Sequence, residues 1–169
     1  FDTHSGQLAS HQLEFPRIGD SLAAFAQDLG VLLDDVVVLM VSEFGRTAYV
    51  NGSAGTDHGS AHAVLALGGS VRGGRMLGRW PGLSPTQLYQ NRDLAVTTDF
   101  RDVYAEIARK HLGLTDMAAL FPGYNVGAGV GLLVGLDDLL DEGVADDVLV
   151  VEVDKGDFGE RGEDLDGLQ

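Results

Sequence analysis

The stretch VVVLMVSEFGRTAYVNGSAGTDHGS, residues 36–60, decides how the rest of the chain is read. It opens with Val36 to Val41, a continuous apolar run rich in β-branched residues and too short for a helix, the pattern of a strand covered on both faces. A loop rich in Gly, Ser, Thr and Asn, from Ser42 to Ser60, starts directly at the carboxyl end of that strand. In open α/β sheets this edge is where ligands bind. On the amino side, Ile18, Leu22, Phe25, Ala26 and Leu29 fall at helical spacings, with Gly30 in a C-capping position. The first residues, FDTHSGQ, suit the end of a strand entering a loop. Helix followed by buried strand predicts an α/β fold with a mainly parallel sheet.

On the carboxyl side, Ala63 to Leu67 reads as a second strand that runs into the glycines of GGSVRGGRMLG. Residues 79–97 show little periodicity and are expected to be coil. Asp99 can cap a helix whose buried face is Val103, Ile107 and Leu112, with Asp102 near its positive end, Arg109 and Lys110 near its negative end, and Gly113 ending it. Beyond Tyr124 the composition shifts to Gly, Val, Leu, Asp and Glu. Residues 126–169 hold 13 of the chain's 26 acidic residues but only 2 of its 11 basic ones. They are expected to form a separate acidic segment that includes a strand-like VLVVEV, leaving residues 1–125 as the domain proper.

With 169 residues, 44% of them hydrophobic and 22% charged, the chain is long enough for one domain with a real core. A formal charge of −15 argues against nucleic-acid binding, which needs a basic surface to displace phosphate counterions. Without cysteine there is no thiolate metal site and no thiol nucleophile. Any metal must be held by histidine and carboxylate. No apolar run approaches a transmembrane length. The chain begins at Phe1 with neither a Met nor a leader, as a mature or truncated product would.

Asp57 and His58 offer a hard oxygen and an imidazole between Gly55 and Gly59, which let backbone come close to a ligand. Their plain alternative is an Asx-type turn with an exposed histidine. Asp2 and His4, two apart on an extended segment, point the same way and can offer a second carboxylate and imidazole to one ion, unless the chain start frays. Glu43 follows the buried strand and needs a metal, an arginine or water beside it. Its functional reading is a metal ligand, with Arg46 holding a phosphate or sulfate oxyanion. Its structural reading is an ion pair with Arg46 that fixes the loop, and spacing alone favours that one. His11 and His62 are weaker candidates, and His111 reads as a helix C-terminal cation. The Gly-rich stretch matches neither nucleotide-loop pattern, and DKGDFGERGED lacks EF-hand ligand spacing.

Taken in order, FDTH, VVVLMVSEFGRT, NGSAGTDHGSA, LGGSVRGG, TTDFRDVYAEI and LFPGY resemble the C-terminal half of a bacterial domain of unknown function, number 1501. That family looks like a branch of the alkaline phosphatase and sulfatase superfamily, and the resemblance covers residues 1 to about 125. It implies a doubly wound α/β sheet carrying two divalent ions of the Zn, Mn, Mg or Ca kind, held by Asp and His on strand-end loops. By resemblance, Asp2 and His4 stand at one ligand pair, Asp57 and His58 match a downstream Asp-His-Gly motif, and Glu43 occupies the position of a further acidic ligand. The superfamily's nucleophile would lie before Phe1, and Thr3 or Ser42 is a poor substitute by position. Relatives often carry twin-arginine leaders, which implies export.

These readings combine into an expected partial doubly wound, alkaline phosphatase-like domain followed by an acidic segment. Its expected role is metal-dependent hydrolysis of a small anionic phosphate or sulfate ester. Asp2, His4, Glu43, Asp57 and His58 would be ligands or close supports, with Arg46 orienting the anion. The isolated chain is expected to be inactive. One rival is an exported, noncatalytic binding or assembly protein that retains the fold. Another is an incomplete gene product whose sheet edges stay unpaired.

Overall fold

The structure is a computed structural model that describes residues 1–134 and the backbone of 149–154. Its first element is α1, Gln7–Leu29, which starts eleven residues earlier than the apolar spacing from Ile18 predicts. The helix runs through Pro16, although proline removes an N–H and usually ends a helix. Its first half has a different support: the rings of Phe1, His11 and Phe15 pack together, His11 and Phe15 at 4.5 Å and Phe1 and Phe15 at 5.7 Å. No residue of α1 is buried. A 3₁₀ turn, Gly30–Asp35, follows and buries Leu33.

The apolar run then forms β1, Val38–Met40. Two short strands, β2 (Gly45–Arg46) and β3 (His58–Gly59), pair antiparallel, and β4, Ala61–Leu67, comes next. Glycine permits this crowding. A Cβ on Gly45 would lie 2.2 Å from the Ala61 carbonyl oxygen, so β2 can lie on the start of β4 only without a side chain there. After β5, Met76–Leu77, come α2 (Phe100–Lys110), α3 (Met117–Leu120) and β6 (Leu149–Asp154).

The main sheet has the order β1-β4-β6-β5. β1 pairs antiparallel with β4, Val38 facing Leu67 and Met40 facing Leu65. β4 pairs antiparallel with β6, and β5 pairs parallel with β6 through Met76 and Val150. β4 follows β1 through a loop that contains no crossover helix, so this pair is antiparallel. β1 sits at a sheet edge and its residues are half-buried, where the unbroken apolar run predicts cover on both faces.

The core forms on one face of β4. Val64 and Ala66 pack with Val71, Val103, Leu132 and Leu133, all at most 1% exposed. α2 forms as its sequence predicts: the Asp99 side chain accepts the Arg101 N–H, Asp102 lies in the first turn, and Arg109 and Lys110 lie in the last. Leu112, expected on its buried face, lies beyond the helix end and is exposed.

The composition break at residue 126 is not a break in packing. Leu132 and Leu133 belong to the core, and Glu106 of α2 accepts hydrogen bonds from the N–H groups of Val130, Gly131 and Leu133. Among the described residues no helix is long and apolar enough to cross a membrane.

Candidate metal centre

The site is a seam between the amino-terminal segment and the loop before β3. Thr56 N–H donates to the Thr3 carbonyl at 3.1 Å, Gly6 N–H to the Ser53 carbonyl at 3.0 Å, and Gln7 N–H to the Ala54 carbonyl at 2.9 Å. Gln7 Oε1 accepts from the hydroxyls of both Thr3 and Thr56, at 3.0 and 2.7 Å. Gly55 makes the close approach possible. A Cβ there would fall 2.2 Å from the His4 carbonyl carbon. These ties hold Asp2 and His4 against the loop.

Pairing of β2 with β3 sets Arg46 opposite His58. The Phe44 ring lies flat on the His58 imidazole, 4.1 Å between centroids and 11° from parallel, and the Arg46 guanidinium lies 4.9 Å from the centre of the Phe44 ring. His58 is thereby oriented from behind.

Three ligand-type atoms converge. Asp2 Oδ1 lies 2.9 Å from His4 Nε2 and 2.9 Å from His58 Nε2, and the two nitrogens are 3.2 Å apart. The tautomer of each ring decides whether its Nε2 donates to the Asp2 oxygen or turns a lone pair toward the group. Ligands on bonds of ~2.1 Å that meet at right angles lie about 3 Å apart, so the donor spacing fits one divalent ion capping the three atoms. Two histidines and one carboxylate are a donor set used by transition-metal sites with open positions. Each of the three side chains is about half exposed, His4 at 48%, Asp2 at 53% and His58 at 49%, so a small ligand can reach them.

The other expected site residues fall around this group in different roles. Asp57 stands behind His4: its Oδ1 lies 3.2 Å from His4 Nδ1 and accepts from Asn51 Nδ2 at 2.9 Å. Carboxylates on the far nitrogen of a ligating histidine orient the ring and raise its basicity. Arg46 is committed to Asp2, donating to Oδ1 at 2.6 Å, and to the carbonyls of Phe1 and Thr56 at 2.8 and 2.7 Å. Its structural reading as a loop-fixing ion pair therefore has Asp2 as the partner. Glu43 is exposed and outside the converging group, and water solvates it where a buried carboxylate would need a cation.

Both carboxylates of the seam are held ionised below the usual range. The His58 imidazole, then Arg46, lowers the Asp2 pKa, and the Asn51 amide, then His4, lowers that of Asp57.

His62, on β4, accepts the Ser42 N–H at 3.3 Å, and His11 packs with the Phe1 and Phe15 rings. The sequence reading passed over Asn51 and Gln7. NGSAG is an evident turn signal for Asn51, whereas nothing local distinguishes Gln7 from any other first-turn residue of a helix.

Residues 1–122 match the family described as protein of unknown function (DUF1501), and the chain belongs to that family. No curated protein and no solved structure matches it.

Proposed function

We propose that this member of the DUF1501 family binds a divalent metal ion through Asp2, His4 and His58 and uses it in hydrolysis of a small phosphate or sulfate ester. The observation that carries the reading is the convergence of Asp2 Oδ1, His4 Nε2 and His58 Nε2 within 3.2 Å of one another. An alkaline phosphatase-like domain is part of the same proposal.

The charge of the site supports an anionic ligand. Asp2 and Asp57 against Arg46 leave a net −1, with both imidazoles neutral as ligation requires. A dication on that set leaves a net positive centre open to solvent. When bound, such an ion polarises an ester oxygen and lowers the pKa of water. Asp2 supplies the anionic ligand and Arg46 holds it in place. Asp57 keeps the His4 ring aimed, and Phe44 fixes the plane of His58.

A noncatalytic binding or assembly role is the second reading. It is favoured by the ties of Arg46 to Asp2 and two carbonyls, and of the Thr3 hydroxyl to Gln7, which hold both side chains in the seam. The two readings separate on assay of the chain loaded with Zn(II) or Mn(II) against aryl phosphates and aryl sulfates. Hydrolysis that chelation abolishes and His58→Ala removes supports the hydrolase. Metal binding without competition by inorganic phosphate or sulfate supports the second reading. Lack of turnover alone does not, because the isolated chain is expected to be inactive. No metal binding overturns the first reading.

A further inference from the structure

We infer that Asn51 is a covalent modification site: when the seam between the amino-terminal segment and the loop opens, the backbone nitrogen of Gly52 attacks its side-chain amide and converts it to an acid. The modification stands on the turn alone, and only its link to ion binding rests on the proposed metal reading.

The sequence singles out one asparagine. Asn91 precedes Arg92 and Asn125 precedes Val126, whereas Asn51 precedes Gly52. A glycine leaves its own nitrogen unshielded and lets the chain take the dihedrals that carry that nitrogen onto the preceding side chain. Gly52 is exposed, and its N–H donates to no group among the described residues. In the reaction this nitrogen gives up its proton to hydroxide and bonds to Asn51 Cγ. The Cγ–Nδ2 bond breaks, and Nδ2 takes a proton from water and leaves as ammonia. Water then opens the cyclic imide at either carbonyl, giving aspartate or isoaspartate, so that in sum an amide and water become an acid and ammonia.

The closed seam holds this reaction back. Asn51 Oδ1 accepts from the N–H groups of Ser53 and Gly55 at 2.9 and 3.1 Å, and Nδ2 donates to the His4 carbonyl and to Asp57 Oδ1, both at 2.9 Å. These bonds fix the plane of the amide and engage the leaving nitrogen. Attack makes Cγ tetrahedral and removes Nδ2, so the tie to His4 across the seam has to be released. The reactive population is therefore the open one. The product also keeps the seam open. An acid at position 51 turns an oxygen toward the two oxygens that Nδ2 had bonded, and isoaspartate lengthens the backbone of a turn closed by the Asn51 N–H on the Gly55 carbonyl at 2.8 Å.

Peptide mapping by mass spectrometry, on the full chain incubated in mildly alkaline buffer, reads aspartate and isoaspartate at position 51. Conversion in the folded wild type is expected to be at least about tenfold slower than in the urea-unfolded chain. Gly55→Ala, whose Cβ meets the His4 backbone, is expected to fall between the two. Should Gly55→Ala unfold, Gln7→Ala removes the acceptor of the Thr3 and Thr56 hydroxyls and is expected to speed conversion by a smaller factor. Gly52→Ala has open space for its Cβ and should slow conversion in folded and unfolded chains alike. Equal rates at position 51 in the folded wild type, a folded seam variant and the unfolded chain would overturn the inference, as would a rate that Gly52→Ala leaves unchanged. Saturating Zn(II) is expected to slow the wild type about tenfold, because an ion across Asp2, His4 and His58 stabilises the closed seam. Bound Zn(II) with an unchanged rate would overturn the link to the metal site. If the chain binds no Zn(II), the metal reading fails by itself, while the variants still decide the role of Asn51.

Discussion

Glu106 and Asp2 are both carboxylates that gather several partners, and the difference between the two gatherings separates a structural site from the proposed metal site. Glu106 is 2% exposed, and its partners are all donors: the N–H groups of Val130, Gly131 and Leu133 at 2.7 to 3.1 Å and Lys110 Nζ at 3.0 Å. Every demand of the buried charge is met, and nothing is left for a ligand. Asp2 is half exposed, and two of its three neighbours are imidazole nitrogens that also face each other. That cluster is open to solvent and brings three metal-ligand atoms within 3.2 Å of one another. The proposed metal ion would take the place that Lys110 and the backbone donors take at Glu106.

The comparison is broken most forcefully at Glu106. Glu106→Ala should cost about 3–5 kcal/mol in urea denaturation, because it removes the buried acceptor of three backbone N–H groups, while metal affinity stays unchanged. Gly55→Ala should do the opposite. A Cβ 2.2 Å from the His4 backbone must push the amino-terminal segment off the loop, so metal binding should be lost in calorimetry for a stability cost of about 1–3 kcal/mol.

Acid sharpens the contrast further. Burial pushes the Glu106 carboxyl up, but the Leu133 N–H, Lys110 and the N–H groups of Leu132 and Val130 outweigh it and hold the group below its ordinary 4.5. A folded pKa depressed in this way contributes stability above the unfolded value, and the contribution is lost as pH falls through the folded one. Stability measured by urea at a series of pH values should therefore drop below about pH 4.5, and Glu106→Gln should flatten that drop. The smallest effect belongs to Glu43. Glu43→Gln should leave metal affinity within about twofold, since an exposed charge outside the converging group contributes little.

Much of this was legible in the chain itself. The pairing of Asp2 with His4 followed from their spacing on an extended segment, and α2 followed from Asp99 and its charge polarity, because both depend on neighbours in sequence. What escaped was set by distant partners. Nothing in SEFGRT says that Arg46 reaches 44 residues back to Asp2, or that Asp57 stands behind an imidazole where His58 meets the ligand group. Glu106 sits in a helix between Ala105 and Ile107, where a glutamate ordinarily faces water. Only its backbone partners at 130–133 reveal it as an anchor. The same bonds carry the packing past the composition change at residue 126 as far as Leu133, and most of the acidic segment lies outside the described residues.

The central claim is that Asp2, His4 and His58 hold a metal ion, and metal content by mass spectrometry after equilibrium dialysis against Zn(II) tests it most directly. The wild-type chain should retain about one ion per molecule against a weak chelator, and a His4→Ala, His58→Ala variant with unchanged circular dichroism should retain none. Equal metal content in the two proteins would contradict the account.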